Sequence, residues 1–286
     1  MIGSNTVYHK KLVHRRLIGI HLPNLESPYF AALARSLETV CRKNGYNTVI
    51  CSSGYSYEEE AEALNLFERL GGSGVLSCPG RNKQLFEVYE KYTLPTVFLS
   101  NRISGLENDC VVVDNRSAGE QVAKFLYRKG YRSFLYVSQE ILHNGEDERL
   151  AGYRAWLEAE SIDFSSDDVI YIDNEFDSFM ENTIAKAILK KEHPIAVFCN
   201  NDLLAMTVLR SCRKWNFVVP QEIGIVGFDD LSVVNDSMHS LTTVHYSTKE
   251  IAEEAMKILL RQINGEPYGK SVKKISSYLI CRNSTL

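Results

Sequence analysis

The feature that most constrains this chain is a repeated switch of hydrophobic period. Short β-branched runs of period two alternate with longer runs of period 3.6, from Arg16 almost to the C-terminus. Parallel strands need long crossovers, and an amphipathic helix is the usual one, so this alternation points to βαβ units. A first strand is expected over 16–22. Ser27 as N-cap and Pro28 at the first helical position then open a helix to about Asn44, closed by Gly45. Strands over 47–51, 74–78, 96–99 and 110–114, with helices over 57–70, 83–92 and 117–129, complete a first block. A second series has strands at 130–137, 169–172, 195–199 and 223–228, and helices over 148–160, 178–191 and 202–215. The tail offers a strand at 241–246, a helix from Lys249 to about Asn264, and one last strand-like stretch over 274–281. The expected fold is α/β, with two Rossmann-like lobes whose parallel sheets are flanked by helices and joined by several crossovers around a ligand cleft. The expected division is a basic leader or hinge over 1–16, a first lobe of 17–132 plus 245–266, and a second of 133–244 plus 267–286.

Composition narrows the partners. The 286 residues carry 32 Lys+Arg against 36 Asp+Glu, a net charge of −4. Residues 1–16 hold four of those bases and no acid, so removing them leaves 28 against 36, a body of about −8. A chain that grips nucleic acid with its bulk surface would be basic. No run approaches the roughly 20 apolar residues of a membrane span, and the N-terminus lacks the zones of a signal peptide, so a cytoplasmic protein with no membrane partner is expected. The seven cysteines are odd in number, scattered and set mostly among apolar residues, which reads as free buried thiols.

Ligands of open parallel sheets bind off the carboxyl ends of the strands, so the residues that follow each strand are the candidates. They include Asn24 with Pro28-Tyr29-Phe30, Ser52-Ser53, Asp114-Asn115, Asn200-Asn201-Asp202 and Asp229-Asp230, with Glu148-Arg149 opening a helix. Amides, carboxylates, one guanidinium and stackable rings suit a neutral polyol or heterocycle. Asn201 also reads as a helix N-cap, and, each taken alone, Tyr29 and Phe30 read as core and Arg149 as a surface charge on a helix. No catalytic elbow, phosphate loop or zinc-protease motif occurs, and Gly71-Gly72-Ser73-Gly74 precedes a strand, which makes it a turn. Asp229-Asp230 lacks a third ligand at metal spacing. No catalytic residue, metal or cofactor is expected.

Seven stretches in order carry a more specific signal: Ile18-Gly19-Ile20 through Pro28-Tyr29-Phe30, Val113 to Gly119, Glu148 to Tyr153, Asn201 to Met206, Val219 to Asp230, Leu241-Thr242-Thr243-Val244, and Arg282 to Thr285. Together they resemble the effector-binding core of the lactose/galactose-repressor (LacI/GalR) family, itself similar to type I periplasmic binding proteins. The resemblance runs from about Leu17 to the C-terminus. It implies a homodimer that binds a small effector, a sugar foremost, and so modulates operator DNA binding by a helix-turn-helix headpiece outside these residues. Residue by residue it implies effector contacts from Tyr29 and Phe30 on the first lobe and from Arg149, Asn201 and Asp229 on the second, with Phe176 as a further wall. Alanine at Arg149 or Asp229 is expected to remove binding and spare the fold. A sugar-binding protein of transport or chemotaxis is the alternative, and an enzyme on the same lobes comes third.

Overall fold

A computed structural model describes residues 16–139, 147–172, 178–232, 240–266 and 270–286. Two six-stranded sheets organise it. The first takes β1 (Leu17–Leu22), β2 (Asn47–Ser52), β3 (Gly74–Ser77), β4 (Thr96–Leu99), β5 (Cys110–Val113) and β11 (Val272–Ile275), in the order β11-β5-β4-β3-β1-β2. The second takes β6 (Ser133–Gln139), β7 (Val169–Ile172), β8 (Ile195–Cys199), β9 (Ile223–Phe228), β10 (Thr242–His245) and β12 (Tyr278–Ile280), in the order β12-β10-β9-β8-β6-β7. Pairing is parallel where β1 meets β2 and β3, and where β6 meets β7 and β8. β12 runs antiparallel to β10.

The helices are α1 (Pro28–Lys43), α2 (Tyr57–Arg69), α3 (Leu85–Glu90), α4 (Asn115–Arg128), α5 (Glu148–Ala159), α6 (Ser178–Leu189), α7 (Asp202–Lys214) and α8 (Thr248–Ile263). Central strands are buried on both faces, which is why β8 and β9 read as unbroken apolar runs. Local chemistry sets the helix starts. Ser56 accepts the Glu59 N–H at 3.2 Å above three acids in the first turn of α2. Ser27 stands at the head of α1 in extended conformation, but its side chain makes no cap bond there; Pro28 alone supplies the start signal.

Contacts divide the chain into two compact units, one formed by residues up to Cys110 with Ala252–Ser271, the other by Val111–Ile251 with Val272–Leu286. The chain therefore passes between units three times. This division differs from the expected boundary at 132, because α4 groups with the second unit. A Cβ on Gly119 would overlap the Arg149 carbonyl oxygen, and one on Gly152 would overlap the Arg116 carbonyl oxygen. Two bare backbones thus let α4 and α5 lie in direct contact. The 274–281 stretch, expected as one strand, is two: β11 joins the first sheet and β12 the second, with Ser276 and Ser277 between them. Five of the seven cysteines, all free, are buried; Cys51 is half-buried and Cys281 exposed.

Candidate functional site

In the second unit, β6 lies between β7 and β8, so the direction of sheet growth reverses there, and such a reversal opens a crevice at the carboxyl ends. The residues that reach this edge form one network. Asp147 caps α5: its Oδ1 accepts the N–H groups of Arg149 and Leu150 at 3.1 and 3.2 Å. Its Oδ2 accepts from Tyr136 Oη at 2.8 Å, Ser138 Oγ at 3.2 Å and Asn200 Nδ2 at 2.9 Å. One carboxylate thus ties the end of β6 and the residue after β8 to the first turn of α5.

Arg149 leaves that turn fully committed in orientation. Its Nε donates to Asn115 Oδ1 at 2.8 Å, its Nη1 donates to the Asn200 carbonyl, and its guanidinium lies over the Phe228 ring, 3.5 Å from the centroid. Burial works against its charge, but Asp229 foremost, with Tyr246, Tyr136 and Asp147, raises its pKa on balance, so it stays a cation. Asp229 follows β9 at φ 106, a backbone conformation that side chains rarely adopt. Its N–H is held by the Val244 carbonyl at 3.0 Å, and its Oδ1 accepts from Tyr246 Oη at 2.6 Å. Burial pushes its carboxyl up to about 6, opposed by Arg149 and by the Tyr246 hydroxyl. Among the described residues, Arg149 Nη2 and Asp229 Oδ2 have no hydrogen-bond partner. One cationic donor and one acceptor are therefore left over in a network that is otherwise paired.

A second layer fixes the Asp229-Asp230 turn. Asp202, fully buried, accepts from Thr243 Oγ1 at 2.6 Å and from the Leu231 N–H at 2.8 Å. Burial, with Asp229 nearby, pushes its carboxyl up to about 7. Asp230 is taken by Arg282 Nη2 at 2.6 Å and by His245 Nδ1 at 2.9 Å, so neither belongs to the leftover groups.

Of the sequence-derived candidates in the second unit, Arg149 and Asp229 stand on this edge. Asn201 is the N-cap of α7, its Oδ1 accepting the Leu204 N–H at 2.8 Å, while the neighbouring Asn200 enters the Arg149 network. Phe176 lies outside the described residues. In the first unit, Tyr29 and Phe30 occupy the first turn of α1, half-buried, with ring centroids 5.0 Å apart and Tyr29 Oη 2.6 Å from Ser100 Oγ. Sequence reasoning missed Asp147 and Tyr246. The first carried a detectable signal, an Asp directly before a helix; the second enters the site through tertiary contacts, its hydroxyl on Asp229 and its ring 5.5 Å from that of Phe228.

Comparison with known proteins agrees with this fold. Residues 123–285 match the family described as periplasmic binding protein-like domain. The HTH-type transcriptional repressor PurR of Vibrio atlanticus is 23% identical over 272 residues, covering 94% of this chain and 81% of that protein. A periplasmic binding protein/LacI transcriptional regulator from Alkaliphilus metalliredigens, solved with D-xylulofuranose, is 25% identical with a TM-score of 0.82, over 95% of this chain and 99% of that one. The regulator CcpA of Lactococcus lactis shares the fold, with a TM-score of 0.85 at 20% identity over 94% of this chain and 99% of that one.

Proposed function

Since the chain belongs to the periplasmic binding protein-like domain family, we propose that it is the effector-sensing and dimerisation domain of a LacI/GalR-type transcriptional regulator. Its relatives are transcriptional regulators, which favours this reading over a transport or chemotaxis protein and over an enzyme. The observation that carries it is the pair without hydrogen-bond partners among the described residues, Arg149 Nη2 and Asp229 Oδ2, at the carboxyl edge of the second sheet. A fixed guanidinium and a fixed carboxylate acceptor suit adjacent hydroxyls of a neutral polyol: the cation donates, the carboxylate accepts, and the two charges compensate each other. A sugar is therefore the proposed effector class. Support for it comes also from the relative solved with D-xylulofuranose.

Tyr29 and Phe30 on the first unit remain proposed contacts, with rings suited to the apolar face of a sugar. Operator DNA is proposed as the regulatory target, a second copy of the chain as the dimer partner, and the cytoplasm as the compartment. Among the described residues no helix is long and apolar enough to cross a membrane. A thermal-shift screen of neutral sugars, sugar phosphates and nucleobases tests the effector class. A concentration-dependent rise in melting temperature with a neutral sugar is expected, since a ligand that binds only the folded state stabilises it by mass action. A response confined to nucleobases or phosphorylated compounds would overturn it.

A further inference from the structure

The first unit holds a polar cluster of its own where its sheet reverses. β1 lies between β2 and β3, and the last β1–β3 register pair, His21 and Ser77, meets beneath the carboxyl edge. His21 Nδ1 lies 3.0 Å from Ser77 Oγ and its Nε2 lies 3.0 Å from Ser53 Oγ, in the turn after β2. Ser77 Oγ is 2.5 Å from Tyr89 Oη of α3, which is 2.7 Å from Glu60 Oε1 of α2. Glu60 Oε2 accepts the Gly80 N–H, in the turn after β3, at 2.9 Å. All five side chains are buried, Glu60 at 1% exposure. The titratable groups facing the Glu60 carboxyl are His21 from β1, Tyr89 from α3 and Cys78 at the end of β3. Among the described residues no lysine or arginine hydrogen-bonds to the cluster.

We propose that these five side chains form a proton relay in which the protonation state of Glu60 dictates the tautomer of His21, joining the turn after β3 to the turn after β2. The effector-binding reading is not required for it. The direct approach of Glu60 Oε1 to His21 Nδ1 is 3.7 Å, too long for a hydrogen bond, so the hydroxyls carry the link. Two oxygens 2.5 Å apart must have a proton between them, since facing lone pairs at that distance repel. With Glu60 protonated, its Oε1–H donates to Tyr89, Tyr89 to Ser77 and Ser77 to His21 Nδ1. The ring proton then sits on Nε2 and donates to Ser53. With Glu60 ionised, Tyr89 donates to the carboxylate and Ser77 must donate to Tyr89. No Ser77 proton is left for Nδ1, so the ring carries its proton there, and Nε2 accepts from Ser53. One proton leaves the protein in the change, and the imidazole stays neutral in both states.

Burial places the change near neutrality. It pushes the Glu60 carboxyl up to about 7, against the bonds from Tyr89 and Gly80, and holds the His21 imidazole down at about 4. The test is nitrogen-15 NMR of the full chain, labelled at histidine and glycine, from pH 5.5 to 8.5. The wild type should show His21 passing from the Nε2–H to the Nδ1–H tautomer with the midpoint of the Gly80 amide titration. In Glu60→Gln the side-chain carbonyl must take the Gly80 N–H, which turns the NH2 toward Tyr89, so His21 should stay Nε2–H throughout. In Tyr89→Phe the Gly80 amide should still titrate while His21 no longer follows; if that variant fails to fold, the wild type and Glu60→Gln decide alone. A wild-type His21 that keeps one tautomer while Gly80 titrates, an absence of titration at both, or a tautomer change that persists in Glu60→Gln overturns the relay.

Discussion

Arg149 is both the leftover donor of the second unit and one of its fasteners, and those roles set it apart from Asp229, although alanine at either position was expected to spare the fold. Arg149→Ala removes the bonds to Asn115 and Asn200, uncovers the Phe228 ring, and leaves Asp229 without its nearest cation. A hydrogen bond to a charged group is worth about 1.5–3 kcal/mol, so this variant is expected to lose stability together with binding. Asp229→Asn keeps an oxygen for the Tyr246 hydroxyl and every Arg149 contact, and removes a charge that burial disfavours more than Arg149 favours it, so its unfolding midpoint in urea should stay near the wild type. A midpoint for Arg149→Ala as high as that of Asp229→Asn would contradict the fastening role. The placement of Arg149 and Asp229 at this edge was legible in the sequence because each sits in a motif at a strand or helix end. Asn201 was legible only as two alternatives, cap or ligand group. The choice depends on which of two adjacent amides faces the Leu204 N–H, and sequence does not encode that.

At the scale of elements, most strands and helices follow from period and punctuation, and the departures have local causes. α4 begins at Asn115 rather than 117, directly after the β5 strand, and α3 shrinks to Leu85–Glu90 because its flanks bond as turns around Asn82 and Lys91. The division of 274–281 into β11 and β12 was hidden, since a strand exposed at a sheet edge leaves little apolar pattern to read. The α4–α5 contact was hidden as well, although its two glycines were in plain view. Gly152→Ala tests it: a methyl group placed against the Arg116 carbonyl must displace a helix, with an expected cost of about 1–3 kcal/mol. A thermal melt of Gly152→Ala equal to the wild type would show that the helices do not depend on this approach. Gly130→Ala is no substitute, because its positive φ adds strain of a different kind.

Across the whole molecule, buried acids set the response to pH. Glu60 and Asp202 are pushed up to about 7 and Asp229 to about 6, all chiefly by burial. A group whose folded pKa exceeds its unfolded value stabilises the fold below the unfolded value, and this contribution is lost as pH rises through the folded one. Glu60 therefore weakens the protein as pH rises from about 4.5 to 7, Asp202 from about 3.8 to 7 and Asp229 from about 3.8 to 6. His21, held down at about 4, acts in the opposite sense, favouring the fold as pH rises from about 4 to 6.5. Three groups against one leave a net loss with rising pH, bounded at roughly 3 kcal/mol per pH unit by the 1.36 kcal/mol worth of one pKa unit. The melting temperature should thus be higher at pH 5.5 than at 7.5, and the double variant Glu60→Gln, Asp202→Asn should flatten the difference. A wild-type protein more stable at 7.5 would contradict this. The α/β class and the multiple crossings between units were legible in the order of elements; the place of those crossings was not, because it depends on which helix packs on which sheet.

On the proposed reading, the carboxyl edge of the second sheet receives a neutral polyhydroxylated effector through Arg149 and Asp229. The most direct measurement is a crystal structure of the protein with the sugar that raises its melting temperature most. Sugar hydroxyls should lie within hydrogen-bond distance of Arg149 Nη2 and Asp229 Oδ2, the two groups without a partner among the described residues. A sugar bound elsewhere, with both atoms still lacking a protein or ligand partner, would rule out Arg149 and Asp229 as the effector contacts.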